Sequence, residues 1–319
     1  MTGVGERDGA EVLGLAQLSA RLARCPDLDT LVQATLGALD ELFGYAHSLL
    51  LLVDESGDHL YTIASHGYDA EGVGSEVRFG EGVIGMVAAR AEPMRVGNLR
   101  QMLAYARSVR RIYEQRGGEA PGREIPLPGL ARAESQVAVP AMVLGQLVGV
   151  LAIESEQRVA FQTEDEALLG VVATLVASAI EIDSANERAA GDATGGEVAT
   201  RAAVAPPHPA TTRVRFFAVD GSTFLDGDYL IKGVAGRVLW VLLGHHAREG
   251  RVDFTNKEVR LDPSLELPEF RDNLESRLIL LKRRLDERDA PIRIEKTGRG
   301  RFHLLVDGEL QLECVDTGP

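Results

Sequence analysis

The sequence predicts an α+β protein in two domains: a mostly antiparallel sheet flanked by helices, then a smaller domain of strands, three helices and a closing hairpin. Three observations predict this. Strand-type alternation and helical periodicity follow one another in short segments, without the regular βαβ rhythm of a parallel sheet. Residues 186–212 are rich in Ala, Gly, Thr and Pro and lack apolar periodicity, as in a flexible linker. The two sides of that stretch also differ in charge. Residues 1–210 hold 16 Arg, no Lys and 29 acids, whereas residues 211–319 hold 14 Arg and 4 Lys against 19 acids. Almost all of the net charge of −14 therefore belongs to the first part, which is a poor candidate for contact with nucleic acid or an anionic membrane.

Residues 1–26 carry Val12, Leu13, Leu15, Leu18 and Leu22 at mostly helical spacing. "DLDTLVQATLGALDELFG" (27–44) reads as an amphipathic helix with Gly44 past its end. "AHSLLLLVD" (46–54) and "HLYTIASHG" (59–67) read as paired strands around the turn "ESGD". A helix at 82–91, an extended "MRVGN" (94–98), a helical stretch at 99–117 and a Gly/Pro-rich loop at 118–134 follow. "SQVAVPAMVLGQLVGVLAIES" (135–155) reads as a hairpin turning at Leu144-Gly145-Gln146. The last helix, 163–182, opens with Thr163 and Glu166 at capping-box spacing.

Gly80-Glu81-Gly82-Val83-Ile84-Gly85 spells G-x-G-x-x-G. A dinucleotide site needs an acid about 20 residues on, and that position is Arg100. A kinase needs a strand lysine, and the first domain has no lysine. A P-loop needs Gly-Lys-Ser/Thr, which is missing. The glycines are expected to be architecture, a tight strand-to-helix turn and a close helix packing. Two cysteines, Cys25 and Cys314, match neither a disulfide framework nor a metal spacing. The apolar run 168–180 is short of the roughly 18 residues that span a bilayer. No catalytic constellation, cofactor or metal site is expected, and the expected location is cytoplasmic.

"VRFGEGVIGMVAARAEPMRVGNL" resembles the central signature of GAF domains, and three further segments agree in order: "SLLLLVDESGDHLYTIASHGYD", "SQVAVPAMVLGQLVGVLAIES" and "AFQTEDEALLGVVATLVASAIE". The resemblance covers residues 27–185. It implies a six-stranded antiparallel sheet flanked by helices, a pocket on one face, and dimerisation through the first and last helices. Pocket residues on that reading are Arg95, Asn98, Tyr105, Arg110, Arg111 and Tyr113, which would suit an anionic or aromatic ligand. Cyclic-nucleotide-binding members carry N-K-x(n)-F-x(3)-D-E. Here Phe161, Asp165 and Glu166 stand in place, but Glu154-Ser155 replaces Asn-Lys, so that ligand is not expected.

After the linker, residues 213–314 show strand alternation with Asp226-Gly227 as a turn, then helices at 234–250, from Thr255, and at 267–288. Thr255 and Glu258 form a capping box. Leu274, Leu278, Leu281 and Leu285 share one face of the third helix. A hairpin at 292–307 closes the domain. This is a winged-helix order, and it resembles the output domains of OmpR-type response regulators; Leu281-Lys282-Arg283-Arg284-Leu285 is similar to the basic run that ends that family's third helix. The resemblance implies duplex DNA as partner. The expected contacts are Arg277, Arg284 and Arg288 on the third helix and Lys296, Arg299 and Arg301 on the wing. Acids among the outward positions of the helix oppose this, and Ile279 and Leu280, if exposed there, would suit a protein partner. The whole chain thus reads as a bacterial regulator, a ligand sensor joined to a DNA-binding output, with an adaptor using Ile279 and Leu280 as the alternative.

Overall fold

A computed structural model describes residues 4–99, 125–193, 211–265, 274–298 and 300–316. The chain divides into two compact units, Met1–Glu181 and Ile182–Pro319.

The first unit runs α1 (Val4–Leu22), α2 (Leu28–Phe43), β1 (His47–Val53), β2 (His59–His66), β3 (Glu76–Arg78), α3 (Gly82–Arg90), β4 (Met94–Val96), β5 (Ser135–Val143), β6 (Gln146–Ser155) and α4 (Thr163–Ala193). Its six strands form one sheet in the order β3-β2-β1-β6-β5-β4, antiparallel throughout. Local chemistry sets the element ends. The Asp27 carboxylate accepts the Thr30 N–H at 2.8 Å and starts α2, and Gly44, at φ 76°, ends it in the left-handed region. The β5–β6 turn uses Leu144 and Gly145 at φ 48° and 79°, the pair of positive angles a tight hairpin requires.

The central strands β1 and β6 are buried on both faces, so they read as continuous apolar runs rather than alternating ones. Leu49, Leu51, Val150, Ala152 and Ala138 face α3, whose Val83, Ile84, Val87 and Ala88 complete that layer. α2 lies against β1 and β2.

The glycine loop is backbone architecture. Gly80 and Gly82 hold φ 86° and 62°, and the Gly80 N–H donates to the Gly85 carbonyl at 2.7 Å. A Cβ on Gly85 would fall 2.2 Å from the Arg78 carbonyl oxygen, so only glycine lets α3 approach β3 this closely.

Two expectations change along α4. The helix extends to Ala193, so the first residues of the expected linker are helical; "NERAA" is made of residues that favour or tolerate helix. The expected Thr163–Glu166 box is displaced as well. Asp165 accepts the Gln162 N–H at 2.6 Å, which is the reciprocal half of a box one residue earlier, while Glu166 is held by Arg95. Within Thr163–Asn186 an 18-residue window reaches a mean hydropathy of 1.7, long and apolar enough by composition to cross a membrane. Its apolar character has a local use: Leu168, Leu169, Val172, Ala173, Val176, Ala177 and Ile180 are all buried.

The second unit runs β7 (Thr211–Phe217), β8 (Thr223–Leu225), β9 (Asp228–Ile231), α5 (Gly233–Glu249), β10 (Asp253–Thr255), α6 (Asn256–Arg260), a short 3-10 turn (Pro263–Leu265), α7 (Leu274–Glu287), β11 (Ile292–Gly298), β12 (Arg301–Val306) and β13 (Glu309–Val315). The capping box at Thr255 and Glu258 forms in full, and Asp226 and Gly227 turn at φ 51° and 92°. Two strands were not foreseen. β10 joins β12 to make a three-stranded sheet with β11, and β13 returns to pair in parallel with β7 beside β8 and β9.

Candidate functional site

On the α3 side of the first sheet the apolar layer stops at a polar corner. β6 carries Val150, Ala152 and Glu154 on one face, since alternate residues of a strand share a side. In register, Glu154 lies between His47 of β1 and Gln136 of β5. Tyr68, just after β2, and Leu130, on the loop before β5, pack against the same apolar layer. Gln136 Nε2 donates to Glu154 Oε1 at 3.2 Å. The Leu130 N–H and the Tyr68 hydroxyl donate to Oε2 at 2.9 and 3.4 Å. The His47 ring meets the Tyr68 ring edge-on, with centroids 5.6 Å apart. A Cβ on Gly129 would sit 3.7 Å from Oε2, so the loop passes directly over the carboxylate.

Glu154 is 9% exposed. Burial pushes its carboxyl above the usual carboxylate range, opposed by the Leu130 N–H and the Tyr68 hydroxyl, which favour the ionised form. Tyr68 is pushed upward too, first by its own burial and then by the neighbouring carboxylate. Tyr68, Leu130 and Gln136 all act as donors to Glu154, so the corner is built around an acceptor. Leaving a buried acceptor unmet costs about 1–3 kcal/mol.

Residues 25–181 match the family described as GAF domain. The six-stranded antiparallel sheet and its flanking helices are those the sequence resemblance implied. Residues 25–181 have a GAF-domain fold. GAF domains are characteristically sensory rather than catalytic modules. Among solved structures, the chain is similar to a GAF domain of a phosphoenolpyruvate-protein phosphotransferase from Acinetobacter (18% identity, TM-score 0.44, 56% of this chain and 97% of that one). It is similar to its counterpart from Coxiella burnetii (21% identity, TM-score 0.43, 56% and 96%). It is also similar to a free methionine-R-sulfoxide reductase from Neisseria meningitidis (24% identity, TM-score 0.42, 55% and 89%). No curated protein matches the chain.

The expected pocket residues of the GAF domain are not brought together at this corner. Arg95 points to the start of α4: Nε donates to Glu166 Oε2 at 2.7 Å, and the two terminal nitrogens to the Phe161 carbonyl and Thr163 Oγ1 at 3.3 and 3.1 Å. Asn98 is exposed between β4 and Leu99. Tyr105, Arg110, Arg111 and Tyr113 lie outside the described residues. Phe161, Asp165 and Glu166 anchor α4, for Phe161 is buried and Asp165 takes the Tyr45 hydroxyl at 2.7 Å. The corner itself was missed. Its signal in the sequence is Glu154, an acid on the inward phase of the otherwise apolar "GVLAIES".

One further cluster arises from folding. Asp54, Asp58 and His59 bring ligand-capable atoms within 4.8 Å of one another in the β1–β2 turn. Internal hydrogen bonds account for it: Ser56 Oγ donates to Asp54 Oδ1 at 2.8 Å, and His59 Nδ1 lies 2.7 Å from Asp58 Oδ1. On the helix surfaces, Val12 and Leu13 of α1 and Val171, Leu175 and Ile182 of α4 are exposed apolar side chains.

In the second unit, α7 corrects the picture of one leucine face and one wet face. Every residue from Leu274 to Leu281 is buried, and the helix packs against α5, α6, β9 and β11. Ile279 and Leu280 are 2% and 4% exposed and so offer no partner surface. Arg277 is buried. Arg284 is buried as well, with Nε donating to the Leu230 carbonyl at 2.9 Å and a terminal nitrogen to Glu287 at 2.7 Å. Arg288 pairs with Asp228 at 3.0 Å. Lys296 pairs with the buried Glu275, which also accepts the Asn256 side-chain amide at 2.9 Å. Arg301 is exposed on β12, and Arg299 lies outside the described residues. Arginines that serve as internal donors are not available to phosphates without unpacking the helix.

The corner makes a checkable statement about pH. A carboxyl whose folded pKa is raised favours folding while protonated, and that contribution is lost as pH rises from the ordinary value, 4.5, through the folded one. Replacing Glu154 with Gln removes this titration. In denaturant unfolding between pH 4 and 8, the stability of wild type relative to Glu154→Gln is expected to fall as pH rises; parallel curves would show that Glu154 does not titrate in that window.

Proposed function

We propose that the chain is a ligand-responsive regulator whose GAF domain senses a small cationic ligand at the Glu154 corner and whose second unit is a winged-helix output that binds duplex DNA. The observation that carries the sensor half is Glu154 itself: a buried carboxylate, opposite His47 and Gln136, covered by a loop through a single backbone hydrogen bond. A protonated amine or guanidinium can replace the Leu130 N–H as donor and add charge to the bond, which makes it stronger than the neutral one. This differs from the anionic ligand expected from Arg95, Arg110 and Arg111, and it rests on the side chains that face the apolar layer.

The output half is supported by element order. Three strands, a helix, a short strand, a capped helix, a third helix and a hairpin follow one another, and the short strand joins the hairpin. Because Arg277 and Arg284 are buried, DNA contact in this reading falls to the wing, around Arg299 and Arg301. A protein-binding output is the second reading, favoured by the same buried guanidinia and by a second part that is almost neutral overall. Two output domains are brought together when the GAF domains pair. The exposed Val171 and Leu175 of α4 and Val12 and Leu13 of α1 supply apolar surface for this.

Three measurements test the reading. Thermal unfolding of the full chain with a panel of small amines and size-matched neutral and anionic compounds is expected to show a rise in Tm for an amine in wild type and none in Glu154→Gln. No amine response, or an equal one in both proteins, would sink the sensor site. Fluorescence anisotropy of the full chain on mixed-sequence duplex is expected to show affinity that falls with salt, and a shallower slope, by roughly one per phosphate contact removed, in the Arg299→Ala, Arg301→Ala variant. Equal slopes, or no binding at low salt, would shift the weight to a protein partner. By light scattering, Val171→Asp with Leu175→Asp is expected to turn a dimer into a monomer; a wild-type monomer would refute pairing through α4.

A further inference from the structure

β4 is three residues long, and its two faces meet different things. It is an edge strand, paired only with β5, with Arg95 opposite Val137. Met94 and Val96 pack against the apolar layer on the α3 side. Arg95, by alternation, points away from that layer. Its guanidinium spreads three donors over the first turn of α4: the Phe161 carbonyl before the helix, Thr163 at its start and Glu166 one turn on. A planar fork of this kind fixes direction as well as distance. The same region is tied a second time through backbone. The Gly97 carbonyl accepts the Val159 N–H at 3.2 Å, two residues before Phe161, and the Leu99 N–H donates to the Glu134 carbonyl at 2.8 Å. Leu99 is itself buried in the α3-side layer. On the other side of the helix start, Tyr45 holds Asp165 and its ring lies 6.2 Å from that of Phe161.

We infer that Arg95 is a positioning residue that couples the α3 side of the sheet to the N-terminus of α4. Any change in the layer against Met94 and Val96 shifts a short edge strand, which has one neighbour to resist the shift. Arg95 carries that shift to a helix of 31 residues, Thr163–Ala193. The Arg95 and Glu166 side chains are 33% and 26% exposed, so the pair is partly screened and adds little to the fold. An element that adds little stability can move without unfolding the domain. The inference rests on the reading of this domain as a sensor, but it concerns transmission and not the ligand.

The test therefore needs neither ligand nor DNA. It is a double-mutant cycle in the full chain, read by amide hydrogen exchange over residues 164–171. Met94→Ala perturbs the α3-side layer. Arg95→Met removes the guanidinium and keeps the stem. Met94→Ala is expected to raise exchange in the first two turns of α4 several-fold when Arg95 is present, and to leave it unchanged in the Arg95→Met background. A purely structural Arg95 would raise exchange by itself and leave the Met94→Ala effect additive, which would overturn the inference. So would a Met94→Ala protein whose β5 amides change while α4 stays as in wild type. Val96→Ala replaces Met94→Ala if the latter fails to fold and is read in the same way. A positive cycle with no amine response in thermal unfolding would retain the coupling and discard the ligand site; the converse would do the opposite.

Discussion

Burial of both faces of the six-stranded sheet is the constraint from which the rest of the first unit follows. Leu49 to Leu51 on β1 and Val150 to Ile153 on β6 have essentially no exposed surface, on either phase of the strand. Each face must therefore be covered, at roughly 25 cal/mol for every Å² of apolar surface removed from water. Glycine at 85 is what lets α3 come close enough to do this on one side, because a side chain there would strike the Arg78 carbonyl. The polar corner forms at the margin of that cover. Glu154 continues the inward phase of β6 past the end of the apolar layer, and the loop carrying Gly129 and Leu130 closes over it.

A buried acid in that position is costly unless each oxygen is met, and here each is met only by donors. Two of the three donors sit on segments that are not strands of the sheet: Tyr68 follows β2, and Leu130 belongs to the loop before β5. The corner thus joins the rigid sheet to parts of the chain that pay less to move. That combination suits a sensory module, in which a new donor has to compete with an internal one of comparable strength.

The second unit uses its charges differently. Arg284 spends its guanidinium on the Leu230 carbonyl and Glu287, and Lys296, near the turn of the hairpin, is matched by Glu275. These pairs tie α7 to β9 and to the wing. A buried ion pair contributes little net stability, but removing one partner strands the other. The basic residues that look most like a nucleic-acid surface are in part the fasteners of the domain, while Arg301 stays exposed after the turn.

The sequence by itself determined the elements whose signals are local. The caps at Asp27, Gly44 and Thr255, the hairpin turns at Leu144-Gly145 and Asp226-Gly227, and the order of strands and helices depend on residues within a few positions of one another. Four separated motifs were enough to point to the GAF fold, because three record different strands of one sheet and the fourth the helix α4. Only the tertiary structure decided which way Arg95 points, since β4 is too short for its pattern to say which face is inward. Nothing local marks Glu154 as a meeting point either, because His47, Tyr68, Leu130 and Gln136 reach it from elements up to 107 positions away. The burial of Ile279, Leu280, Arg277 and Arg284 was equally hidden. A helical pattern shows which face is most apolar, but the number of neighbours packed around a helix is a property of the whole fold.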